Sequence, residues 1–137
     1  MSTAKVINAM SNAAKQEDFQ TVANEYAQRA IENLQELLGQ CTDDDDSPVQ
    51  EDPLLVEVRS GWYSFGPDAD AKPAEFCILL GTGGPASRII GDLDEYGTPE
   101  NPRFEYQDWG TPWTEARTTP EQDETMLEYA RHFYFGE

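Results

Sequence analysis

A Cys–His nucleophilic pair in this chain would have to be built from His132, its one histidine, and either Cys41 or Cys77, its two cysteines. Neither thiol is well placed for that. Cys41 stands just before Asp43-Asp44-Asp45-Asp46, whose carboxylates raise a thiol's pKa and suppress the reactive thiolate. Cys77 lies in the apolar run Phe76-Cys77-Ile78-Leu79-Leu80 and reads as an inert core thiol. Two cysteines make neither a disulfide framework nor a zinc site, and they read as unpaired thiols in a reducing compartment. The serine-hydrolase pattern G-x-S-x-G is absent.

Gly81-Thr82-Gly83-Gly84 follows an apolar run, where a phosphate-binding loop would stand. No Lys-Ser/Thr pair follows it, and Pro85 leads into a further apolar run instead of a helix, so no helix N-terminus is offered to an anion. A hairpin turn that needs positive φ accounts for the glycines. Asp92-Leu93-Asp94-Glu95-Tyr96-Gly97 has the Asp, Asp and Gly of a calcium loop at its first, third and sixth places. The fifth place is Tyr96 and the twelfth, where a bidentate Glu belongs, is Arg103, so this segment reads as a hairpin tip. Asp43–Asp46 and Asp68/Asp70 fail the same template. Carboxylates are so abundant that no pair stands out as an acid/base couple. The expectation is a protein that is not an enzyme, with no catalytic residue, cofactor or dedicated metal site.

The carboxylates themselves are the dominant feature. Twenty-seven Asp and Glu oppose nine Lys and Arg in 137 residues, for a formal charge of −18. Such a body is repelled by a phosphate backbone and by an anionic membrane, which argues against direct nucleic-acid or membrane binding. The 11% aromatic content is too high for a disordered acidic tail and suits one modest core. No run approaches the ~20 apolar residues of a membrane span and no apolar signal core opens the chain, so a soluble, cytoplasmic protein is expected.

The elements that must position these carboxylates can be read from hydrophobic period. Residues 1–39 form an N-terminal helical segment. Its surest part carries Phe19, Val22, Ala23, Tyr26, Ala27, Ala30, Ile31, Leu34, Leu37 and Leu38 on one stripe, with Gly39 as a stop. Pattern alone leaves open whether the segment 6–14 before it belongs to the same helix. Residues 40–53 read as a mobile acidic linker, too polar to pack. From Leu54 the period becomes two, and runs at 54–59, 75–80, 87–93 and 103–109 with short connections predict an antiparallel meander. In the last run Phe104, Tyr106 and Asp108 share one face. Thr119, Pro120 and Gln122 form a capping-box start for a C-terminal helix, along which Met126, Ala130 and Phe133, widened by Leu127, Tyr129 and Tyr134, line the apolar face. The expected fold is α+β, in a single domain: residues 54–137 hold a four-stranded antiparallel sheet and the C-terminal helix, and that helix and the N-terminal helical segment pack on the sheet. Trp62, Trp109 and Trp113 lie at strand ends, where core packing is favoured over service as interface anchors.

Residues 61–116, GWYSFGPDADAKPAEFCILLGTGGPASRIIGDLDEYGTPENPRFEYQDWGTPWTEA, resemble small proteins encoded by phages and other mobile elements. In size and charge the chain resembles the acidic phage inhibitors of host defence, the anti-CRISPR and anti-restriction proteins. That resemblance implies a viral protein of the host-cell cytoplasm that evades host defence as a DNA mimic, binding a CRISPR effector or restriction enzyme. Charge supports the same reading, because a small body near −18 is steered to basic grooves. The carboxylates expected to contact such a partner are those in turns: Asp43, Asp44, Asp45 and Asp46, Asp68 and Asp70, and Asp92, Asp94 and Glu95, with Glu100 a weaker candidate. A homodimer is compatible with this reading. The alternatives are a ligand-binding domain or enzyme using the aromatic sheet ends, and a structural or assembly protein of a virion.

Overall fold

Alanine and leucine at helical spacing make the first element the longest. The computed structural model describes residues 3–67, 71–82 and 84–135, with 3–17 described by their backbone course alone. In chain order the elements are α1 (Thr3–Gln40), α2 (Ser47–Gln50), β1 (Leu55–Ser60), β2 (Pro73–Gly81), β3 (Ala86–Leu93), β4 (Pro99–Gln107), β5 (Thr114–Glu115) and α3 (Pro120–Ala130). The two N-terminal segments are one continuous helix, and Gly39 lies inside its last turn. No helix among the described residues is long and apolar enough to cross a membrane.

The sheet is an antiparallel meander in the order β1-β2-β3-β4-β5. It has five strands where four are expected. The extra one is Thr114–Glu115, paired to Glu105 and Tyr106, and it is too short to leave a periodicity in the sequence. The fourth strand begins earlier than expected, at Pro99, and stops at Gln107, so Asp108 and Trp109 lie beyond it. Asn101 sits at φ 52, a left-handed conformation that Asn tolerates, next to the shift in register between β3 and β4.

One face of the sheet is covered. Ala23, Ala27, Ile31 and Leu34 of α1 and Met126, Tyr129 and Ala130 of α3 pack on Phe76, Ile78, Ile89, Phe104 and Tyr106. In the stripe of α1, burial is confined to the middle, and Phe19 and Val22 remain exposed at 36% and 41%. Phe19 lies one turn before Ala23, the first buried position, and Val22 is turned about 100° from Ala23 around the helix axis. At 38 residues and 1.5 Å each, α1 is roughly 57 Å long against roughly 30 Å for a nine-residue strand, so the sheet does not span its whole length. Gly91 of β3 leaves room for Phe76, since a Cβ there would lie 2.6 Å from the Phe76 ring and 2.8 Å from the Glu100 carbonyl oxygen.

The capping box of α3 forms as its sequence predicts, with the Gln122 amide donating to Thr119 Oγ1 at 3.2 Å and the Thr119 amide donating to Gln122 Oε1 at 2.9 Å. The helix ends at Ala130, however. Phe135 is buried against Phe76, whereas Tyr134, expected on the apolar face, is 82% exposed.

Residues 40–53 do pack, contrary to the expectation of a linker. Val49 is fully buried in the short helix α2. Tyr129 donates its hydroxyl to Asp52 at 2.8 Å, and Gln50 donates to the His132 carbonyl. Val49, the partly buried Cys41 and polar ties from Asp46, Gln50 and Asp52 dock a segment that composition alone marks as unpackable.

Candidate binding surfaces

The expected contact carboxylates separate into three groups. Asp43, Asp44 and Glu95 are exposed and have no hydrogen-bond or ionic partner among the described residues. Others are engaged within the fold. Asp45 accepts from the Ser47 amide at 3.0 Å, and the hydrogen bonding from Ser47 holds its carboxyl below the usual range. Asp46 reaches Gln50 at 3.2 Å and His132 at 3.4 Å. Asp94 accepts from the amides of Tyr96 and Thr98 at 2.8 and 2.9 Å, so it closes the β3–β4 turn and does not extend outward. Asp92 accepts from Asn101 at 3.0 Å. Asp68 and Asp70 lie outside the described residues. Glu100 is exposed.

These groups are not gathered into one patch along the sheet. The register puts the β3–β4 tip at the Pro73 end of β2, while Leu54, where the acidic segment joins β1, donates its amide to Leu79 toward the Gly81 end. The carboxylates that do share a side of the molecule lie on the helices. Both helices cover the same sheet face, and their solvent sides present Asp18, Glu25, Glu32 and Glu36 from α1, with Arg29 among them, and Glu121, Glu124 and Glu128 from α3. Within that group only Glu124 pairs with a base among the described residues, Arg131 at 3.5 Å. Spacings of three, four and seven residues, which place side chains on one helical face, were the signal that could have found them.

The opposite sheet face carries a different chemistry. Arg88 donates to Glu105 at 2.7 Å and stacks over Trp113 with its guanidinium carbon 4.0 Å from the ring centroid. Arg59 pairs with Glu75 across β1 and β2. Cys77 points to this face, between Glu57 and Ile90 in register, so it is a half-buried surface thiol and not a core one. Burial pushes its pKa up, with Arg88 opposing, and it is a poor nucleophile at neutral pH. Cys41 donates to the Leu37 carbonyl at 3.4 Å, and His132 contacts neither thiol. Among the described residues no group of three or more His, Cys, Asp or Glu is arranged to hold a metal.

The third surface is apolar and sits at the β1 edge. All six residues of β1 are exposed. Val56 and Val58 point to the helix side of the sheet, but neither helix reaches them, and they are 36% and 49% exposed. Beyond β1, Trp62 and Phe65 are fully exposed and, with Tyr63, Arg59 and Ala74, line an open groove of about 740 Å³. Trp109 is 79% exposed. The core role favoured for the tryptophans therefore fails for Trp62 and Trp109, because strand ends past the reach of α1 and α3 have nothing to pack against. No protein-family model, no curated protein and no solved structure matches this chain.

Proposed function

We propose that this protein is a non-enzymatic inhibitor that applies the acidic side of its helix layer to a basic, nucleic-acid-handling protein and occupies the surface where nucleic acid would bind. A host-defence complex such as a CRISPR effector or a restriction enzyme is the kind of partner this reading implies. The observation that carries it is the solvent side of α1 and α3, where six carboxylates (Asp18, Glu25, Glu32, Glu36, Glu121 and Glu128) stand without a basic partner among the described residues. Carboxylates held on rigid helices lose little freedom on meeting arginines and lysines. At long range they also raise the encounter rate with a basic groove. The turn carboxylates are a poorer fit, since Asp94 and Asp46 already serve their own loops.

The test is the association rate with a captured basic partner as a function of salt and of competing nucleic acid. The Debye length falls from about 10 Å at 0.1 M to about 3 Å at 1 M salt, so the rate should drop steeply over that range. Changing Glu25, Glu32 and Glu36 together to Gln should slow association while leaving the melt unchanged, and duplex DNA should compete. A partner that binds DNA and this protein at once, with neither affinity altered, would overturn groove occlusion.

A further inference from the structure

We propose that β1 is a self-association edge: two copies pair their β1 strands antiparallel about Val58, and two five-stranded sheets become one continuous sheet. The sheet has two edges. One is β4 with β5 on it: β5, at two residues, is too short to template another strand, and the part of β4 it leaves uncovered is broken by Pro99, Pro102 and the left-handed Asn101. The other is β1, six residues long, bare on both faces and alternating in the manner of a core strand. Open edges of this kind are normally blunted by charge or proline. β1 has no proline, and its only charges are Glu57 and Arg59, on the same face.

Those two charges select the partner. In a chain of net charge −18, residues 53–67 carry one acid and one base, so this edge is neutral where most of the surface repels a second copy. A two-fold pairing centred on Val58 sets Glu57 opposite the second copy's Arg59, which its own Glu75 already holds extended on that face, and Arg59 opposite its Glu57. It sets Val58 on Val58 and, extended one residue before the strand and two beyond it, brings each fully exposed Trp62 against the other copy's Leu54, itself 60% exposed. The pairing centred one residue earlier sets Glu57 against Glu57, which like-charge repulsion disfavours. Strand addition leaves side chains on their own faces. Both helix layers therefore lie on one side of the continuous sheet, and the acidic surface is doubled without new residues. The proposal itself stands on the β1 edge and does not depend on what the acidic side binds.

The experiment uses the full chain and two charge reversals, E57R and R59E, both at exposed positions. Sedimentation equilibrium of the wild type should show a monomer–dimer equilibrium by about 100 µM. Each single variant should dissociate at least about tenfold more readily, because both cross-strand pairs become like charges. Mixing the two variants should restore the dimer as a heterodimer, since an all-basic edge from E57R then faces an all-acidic edge from R59E. Circular dichroism and thermal melts confirm that each variant is folded. A wild type that stays monomeric throughout, single variants that dimerise like the wild type, or a mixture that fails to dimerise would each overturn the proposal; the first outcome would leave the edge to a different protein.

Discussion

β1 and β3 are built from the same kind of residue and meet opposite fates. Leu-Val-Glu-Val-Arg-Ser and Ala-Ser-Arg-Ile-Ile-Gly-Asp-Leu both mix branched aliphatics with charge. Yet β3 alternates strictly between half-buried and buried, and β1 is exposed at every position. The difference is cover. α1 and α3 lie across β2 to β4, so Ile89 loses all contact with water while Val58 keeps about half of its surface in it. A strand's alternation records which face prefers to be buried, without saying whether its own chain supplies the lid. Val56 and Val58 are apolar groups that this chain does not bury, and the same holds for Trp62 and Phe65 beside them.

The contrast can be broken most forcefully from the covered side. Phe76→Ala, beneath the helix layer, should cost about 3–5 kcal/mol of unfolding free energy in urea titrations. Val58→Ala in the monomer should stay within about 0.5 kcal/mol. Equal losses would mean that β1 is buried in the folded monomer. The docked acidic segment is sharpened next. Val49→Ala should cost about 1–3 kcal/mol, because its side chain is fully buried; no loss would mean that residues 40–53 hang free.

Tyr129 gives a pH-dependent version of the same test. Burial, first, and its hydrogen bond to Asp52 push the phenol far above its ordinary value. A group whose folded pKa is raised contributes fully below the unfolded value, near 10, and loses that contribution as pH rises beyond it. The wild-type melting temperature should therefore fall above about pH 10. Tyr129→Phe should cost about 1 kcal/mol at neutral pH and flatten the alkaline decline. The smallest effect is expected at Asp43 and Asp44. Their joint change to Asn should leave the melt unchanged or slightly raised, since both are exposed and repel each other.

Much of this architecture was legible in the sequence, for identifiable reasons. The capping box at Thr119 and the stripe from Ala23 to Leu34 are local signals that tertiary contacts then confirm. Of the glycines expected in a hairpin turn, Gly84 lies in the connection at φ 131, where a Cβ would lie 3.1 Å from Trp109 Nε1, whereas Gly81 is the last residue of β2. What escaped was relational. Nothing in residues 40–53 announces that Val49 joins the core, and two residues of β5 cannot display a period. The aromatic edge was equally hidden, because Trp62 and Phe65 would look the same in sequence under a helix or in water. The carboxylates of turns drew notice for their density, whereas those on the helices, spaced at three, four and seven, form the broader surface.

Hydrogen exchange at two protein concentrations reads out whether a second copy completes the β1 edge. Amides of β3 should be protected equally at low and high concentration. The β1 amides that face the open edge should exchange as fast as loop amides in dilute solution and become protected as concentration rises. Protection of β1 that does not change with concentration, whether high or absent at both, would contradict the account.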